Sequence, residues 1–105
     1  MAWLYLFSAG ILEIVWAFTM KQSDGFTRPM PTAITIVTMI GSFALLSLAM
    51  RSLPLGTAYT IWTGIGAVGA FLVGVTALGE SLTPMRIAAA TLIVSGLVMM
   101  KLSAS

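Results

Sequence analysis

The sequence predicts an all-α membrane protein, a bundle of four transmembrane helices, and three observations carry that prediction. The chain is 59% hydrophobic and 8% charged, with a mean hydropathy of +1.06, whereas about a quarter of the residues of a soluble domain are charged. Its 105 residues separate into four apolar runs, each close to the ~20 residues that cross a hydrocarbon core about 30 Å thick. Charged residues, glycine and proline punctuate the chain between those runs. Four spans leave no length for a soluble catalytic domain.

The first span is expected over residues 3–20. No basic residue precedes it, Glu13 lies inside it, and it runs longer than the apolar core of a secretory signal, so it reads as a retained helix. The stretch from Lys21 to Pro31 holds Lys21, Asp24 and Arg28 with Gly25 and two prolines, which is solvated turn chemistry. A second span follows over 31–50, a tight turn at Arg51 to Gly56, and a third span over 57–78. Thr83 before Pro84 reads as a helix N-cap followed by proline at the first helical position, opening the fourth span over 84–100. Short connections join antiparallel neighbours, so the four spans form one up-down transmembrane domain over residues 1–105.

Basic residues near span ends normally gather on the cytoplasmic side. Here Lys21, Arg28 and Arg86 fall at one end and Arg51, Lys101 and the amino terminus at the other. That balance leaves two topologies open: one weakly fixed orientation, or insertion both ways with opposite copies pairing as an antiparallel homodimer. Four helices enclose little space for a shielded aqueous cavity, which favours a dimer.

Chemistry is restricted by what is missing. Cysteine and histidine are absent, which removes disulfides, thiolate nucleophiles and the commonest metal ligands. No metal, no cofactor and no enzyme activity are expected. Glu13 is the one ionisable group in mid-span, a position costing roughly 2.5–3.5 kcal/mol on insertion scales, so it marks a functional site. No Lys, Arg or His lies at its depth on another span, leaving its carboxyl free to exchange a proton for a cation. The bland alternative is a permanently protonated acid bonded to a neighbouring helix.

Helical spacing places Gly10, Trp16 and Ala17 on the face of Glu13. Gly10 would open space beside the carboxylate and Trp16 would wall it. Tyr59 and Trp62 repeat the three-residue spacing in the third span, offering a hydroxyl, an indole and π faces for a cation, although both also suit an interfacial aromatic belt. Thr32, Thr35, Thr38 and Ser42 form a polar stripe on the second span. Most such hydroxyls bond their own preceding carbonyls, and Ser42, near mid-depth, is the one expected to reach the site. Gly64-Ile-Gly-Ala-Val-Gly69 matches a dinucleotide fingerprint by letter, but it sits inside a span with no preceding strand. Gly64, Gly66 and Gly69 are read instead as helix packing or a kink. Ala88, Thr91, Ser95 and Gly96 give the fourth span small positions suited to helix association.

Five segments together carry a resemblance: Gly10-Ile-Leu-Glu13-Ile-Val-Trp16-Ala17, Gly25-Phe-Thr-Arg28, Leu53-Pro-Leu-Gly-Thr-Ala-Tyr59, Ile61-Trp-Thr-Gly-Ile-Gly-Ala67 and Gly79-Glu80. The chain resembles the small multidrug resistance family, and within it the guanidinium-exporter subtype, over essentially its whole length. The resemblance implies a dual-topology antiparallel homodimer in a bacterial cytoplasmic (inner) membrane, with two copies of Glu13 sharing one site for substrate and protons. It implies that Trp16, Ser42, Tyr59 and Trp62 line that site, and that Met39 and Phe43 flank Ser42 at an opening toward the membrane. The expected function is proton-coupled export of guanidinium or small guanidinyl cations. Its partners would then be that cation, protons, the lipid bilayer and a second copy of the chain, with no nucleic acid. The nearest rival is a broad quaternary-ammonium exporter of the same fold. Rivals from other classes are a proton-conducting rotor-ring subunit, disfavoured by four spans where two are usual, and a structural or chaperone-like membrane subunit.

Overall fold

Apolar runs bounded by proline and glycine fold here into four α-helices, seen in a computed structural model that describes residues 1–103. They are α1 (Ala2–Gln22), α2 (Pro29–Ala49), α3 (Leu55–Ala77) and α4 (Pro84–Ser103), each long and apolar enough to cross a membrane. The helices overrun the apolar spans at several ends. α1 continues to Gln22, α2 begins at Pro29 and α4 runs to Ser103, because helical backbone pairing persists into the interfacial layer where hydropathy has already fallen.

Each connection is closed by local hydrogen bonds. Buried Ser23 organises the α1–α2 turn: its hydroxyl accepts from the Phe26 N–H at 3.1 Å, and its carbonyl accepts from the N–H groups of Thr27 and Arg28 at 2.9 and 3.1 Å. Those bonds hold Asp24, Gly25 and Phe26 at positive φ, 51°, 74° and 66°, a region that suits glycine and disfavours a bulky side chain. Pro29 then starts α2 at a position where its missing N–H is no loss. The α2–α3 turn folds the N–H groups of Ser52 and Leu53 back onto the Ala49 carbonyl. Gly79, at φ 68°, turns the chain after α3 so that the Glu80 N–H reaches the Gly74 carbonyl at 3.0 Å. Thr83 caps α4 as its sequence position predicts, accepting the Arg86 N–H on its hydroxyl at 3.2 Å.

α1 lies in the middle, packed along both α2 and α3, which scarcely meet each other; α4 packs on α3. The result is a slab of 42 × 35 × 16 Å. Its core, Leu6, Ala9, Leu46, Ala49, Ala58, Ile61 and Trp62, gathers toward the amino-terminal end of α1. Glycines on α3 admit side chains from both neighbours: a Cβ on Gly69 would overlap Ile14 of α1, and one on Gly64 would overlap Leu97 of α4. α3 is nonetheless one continuous helix through these glycines. Among the described residues, α4 buries none.

Candidate functional site around Glu13

Glu13 sits midway along α1 with its Oε1 sealed from solvent and without a hydrogen-bond partner in the chain. Its carboxyl group lies directly on the backbone of α3 at Gly66, where a Cβ would overlap both Oε1 and the carboxyl carbon. Gly66 is therefore the seat of the carboxylate. Gly10, expected to open space beside Glu13, is instead under Ile65, whose Cγ2 would stand 2.6 Å from a Cβ placed there. The difference follows from the rotation of α1 against α3: the face one turn before Glu13 meets a side chain, and the face at Glu13 meets bare backbone.

One helical turn beyond Glu13, Trp16 also has a buried polar atom, Nε1, with no partner in the chain. An acceptor and a donor thus lie three residues apart on one helix, both out of contact with water and both unpaired within the chain. A continuous aromatic chain leads away from them. Trp16 meets Phe43 of α2 edge-on at 6.3 Å, Phe43 meets Trp62 of α3 at 5.6 Å, and Trp62 meets Tyr59 at 5.6 Å. These tilted, edge-directed contacts fix ring planes through their quadrupoles.

Ser42 joins three helices. Its fully buried hydroxyl donates to the Ala9 carbonyl of α1 at 2.7 Å and accepts the Trp62 indole N–H of α3 at 3.0 Å. Ala9 is four residues before Glu13, so the same carbonyl closes the helical turn that ends at Glu13. The other hydroxyls of the stripe divide differently. Thr35 and Thr38 donate to the carbonyls of Pro31 and Ile34, four residues back, and Thr35 also meets Thr19 of α1 at 2.7 Å. The Thr32 hydroxyl is buried without a partner.

The structure thus brings Trp16, Ser42 and Trp62 into one connected network beside Glu13. Tyr59 joins that network by its ring alone and is half-exposed. Phe43 is its central ring, a role that its sequence position beside Ser42 hints at and its residue type does not, since phenylalanine is ordinary in any span. The part played by Gly66 was concealed in a glycine series that reads equally as packing. No cluster of three His, Cys, Asp or Glu side chains able to hold a metal occurs among the described residues.

A family model described as Small Multidrug Resistance protein matches residues 1–93. The chain belongs to the Small Multidrug Resistance family. Among relatives of this family member are proteins named guanidinium exporter from Escherichia coli (strain K12), Citrobacter freundii and Klebsiella oxytoca, each 55% identical over 103 residues and 98% of both chains. Family membership and four spans make it a multi-pass protein of the bacterial inner membrane.

Proposed function

We propose that this protein exports guanidinium, and small guanidinyl cations, in exchange for protons that compete for Glu13. The observation that carries the reading is the Glu13 Oε1, buried against Gly66 and lacking any partner within the chain. The relatives named guanidinium exporter at 55% identity support the choice of cation. A guanidinium ion is planar and permanently charged, and presents paired N–H groups that a carboxylate accepts two at a time. A quaternary ammonium has no N–H to offer. Trp16 and Trp62 supply flat walls matched to a planar cation, while Ser42 and the Tyr59 hydroxyl act as orienting groups.

Exchange follows from charge. A protonated Glu13 has no charge with which to hold the cation, and a cation-loaded Glu13 has no site for the proton, so the two occupancies exclude each other. If only a loaded protein changes its facing, an inward proton gradient drives the cation out. Two copies assembled antiparallel would place a second Glu13 at the same depth. The absence of buried residues on α4 among those described favours such a homodimer.

The test is guanidinium-driven proton movement in proteoliposomes, with Glu13→Gln in parallel and a bulky aromatic quaternary ammonium as competitor. Coupled flux that disappears in the variant supports the reading. Flux driven by the quaternary ammonium and not by guanidinium assigns the protein to drug export, and coupled guanidinium flux through Glu13→Gln removes the carboxylate from the mechanism. Binding carries its own sign: as pH falls, protonation removes the negative charge, so the apparent affinity for guanidinium drops and recovers on raising pH.

A further inference from the structure

Among the described residues, the charges at the end of the molecule that carries the amino terminus are all positive. Met1, Arg51 in the α2–α3 turn and Lys101 in the last turn of α4 lie there, whereas the acidic side chains are Glu13 in mid-span and Asp24 and Glu80 in the turns at the other end. At the same positive end a groove of about 240 Å³ opens between α1, α3 and α4, walled by Phe7, Ile65, Leu97, Val98 and Leu102, and Lys101 is the one charged residue lining it. The Lys101 ammonium stands 4.5 Å from the ring centroid of Trp3, and Trp3 packs on Phe7 at 6.0 Å. The cation is thereby held over the first turn of α1, at the depth of an interfacial tryptophan and beside a groove wall.

We propose that this groove binds an acyl chain of one anionic phospholipid, with the lipid phosphate paired to Lys101. The lining determines the chemistry. Carbon surfaces on three helices match a hydrocarbon chain, and the single ammonium faces the layer where phosphodiesters reside. No acidic side chain shares that end, so no carboxylate side chain neutralises Lys101 and a phosphate supplies the complementary charge. The site is separate from Glu13 and stands whether or not guanidinium is the substrate.

Native mass spectrometry of the detergent-purified protein, titrated with palmitoyl-oleoyl phosphatidylglycerol or its phosphatidylcholine counterpart, tests this. The protein should retain phosphatidylglycerol in preference by about fivefold, the factor one basic side chain near an anionic leaflet provides. Lys101→Gln should abolish the preference, and Val98→Trp or Leu102→Trp, which fill the groove, should release both lipids. Lys101 is exposed, so Lys101→Gln remains interpretable even where a tryptophan variant fails to fold, as circular dichroism would show. Equal retention of the two lipids, an undiminished preference in Lys101→Gln, or well-folded tryptophan variants that keep their lipid would each overturn the proposal. A tryptophan variant that shifts the oligomeric state without releasing lipid would assign the groove to a second copy of the chain, and the lipid site would fall.

Discussion

α3 and α4 are equal in mean hydropathy over their most apolar windows and adjoin in sequence, yet α3 is the most buried helix of the four by share and α4 has no buried residue among those described. Their difference is one of shape. Gly64, Gly66, Gly69 and Gly74 are among the buried residues of α3, and each receives a side chain from outside the helix: Leu97, Glu13, Ile14 and Glu80. Gly96 of α4 faces open space. Lipid tails are as apolar as leucine, so hydrophobicity does not select which helices pack in a bilayer, and the closeness that small residues permit does. α3 therefore seats the Glu13 carboxyl and α4 presents an apolar surface outward.

That contrast can be broken in steps, the largest first. Glu13→Gln, on the helix seated against α3, should reduce guanidinium-driven proton flux in liposomes to the level of protein-free vesicles. Gly69→Ala sets a Cβ against Ile14 and should lower unfolding stability in mixed micelles by about 1–3 kcal/mol, the usual range for overpacking. Gly96→Ala on α4 should fall within about 0.5 kcal/mol of the parent in the same titration. An equal effect at Gly69 and Gly96 would mean that the shape argument fails. Ser42→Ala leaves the Trp62 N–H buried and unpaired, at a cost of about 1–3 kcal/mol, read as a lower midpoint in the same titration. A smaller effect than at Ser42 belongs to Thr19→Val, which removes one interhelical hydrogen bond to Thr35; about 0.6 kcal/mol is the average for such bonds within membranes. Thr91→Val on α4, whose hydroxyl donates within its own helix to Ile87, sharpens the comparison by predicting less still.

What the sequence made legible is what polarity encodes. Apolar length located the helices, Thr83 and Pro84 located the start of the last one, and the lone mid-span carboxylate singled out Glu13. Ser42 was picked by depth from a stripe of hydroxyls, and among them its hydroxyl is the one bonded to the Trp62 indole. Rotation about each helix axis was not legible, because lipid-facing and protein-facing surfaces are equally apolar. Hence Gly10 meets Ile65 while Gly66, fifty-odd residues away, receives the Glu13 carboxyl. The Ala9 carbonyl was invisible for a different reason: a backbone acceptor has no signature in residue type.

The Ser42 hydroxyl has a mechanical meaning. Where no water can substitute, a hydrogen bond between helices behaves as a pin and a seam of glycine against carbon as a bearing. Ser42 to Ala9 and Thr19 to Thr35 pin α1 to α2, while Gly10 with Ile65 and Gly69 with Ile14 make the seam of α1 with α3 a bearing. Direct hydrogen bonds thus join α1 to α2, and the Trp62–Ser42 bond ties α3 to that pair at one end. The Glu13 carboxyl rests on that same seam at Gly66, where carbon and bare backbone meet and no hydrogen bond holds it.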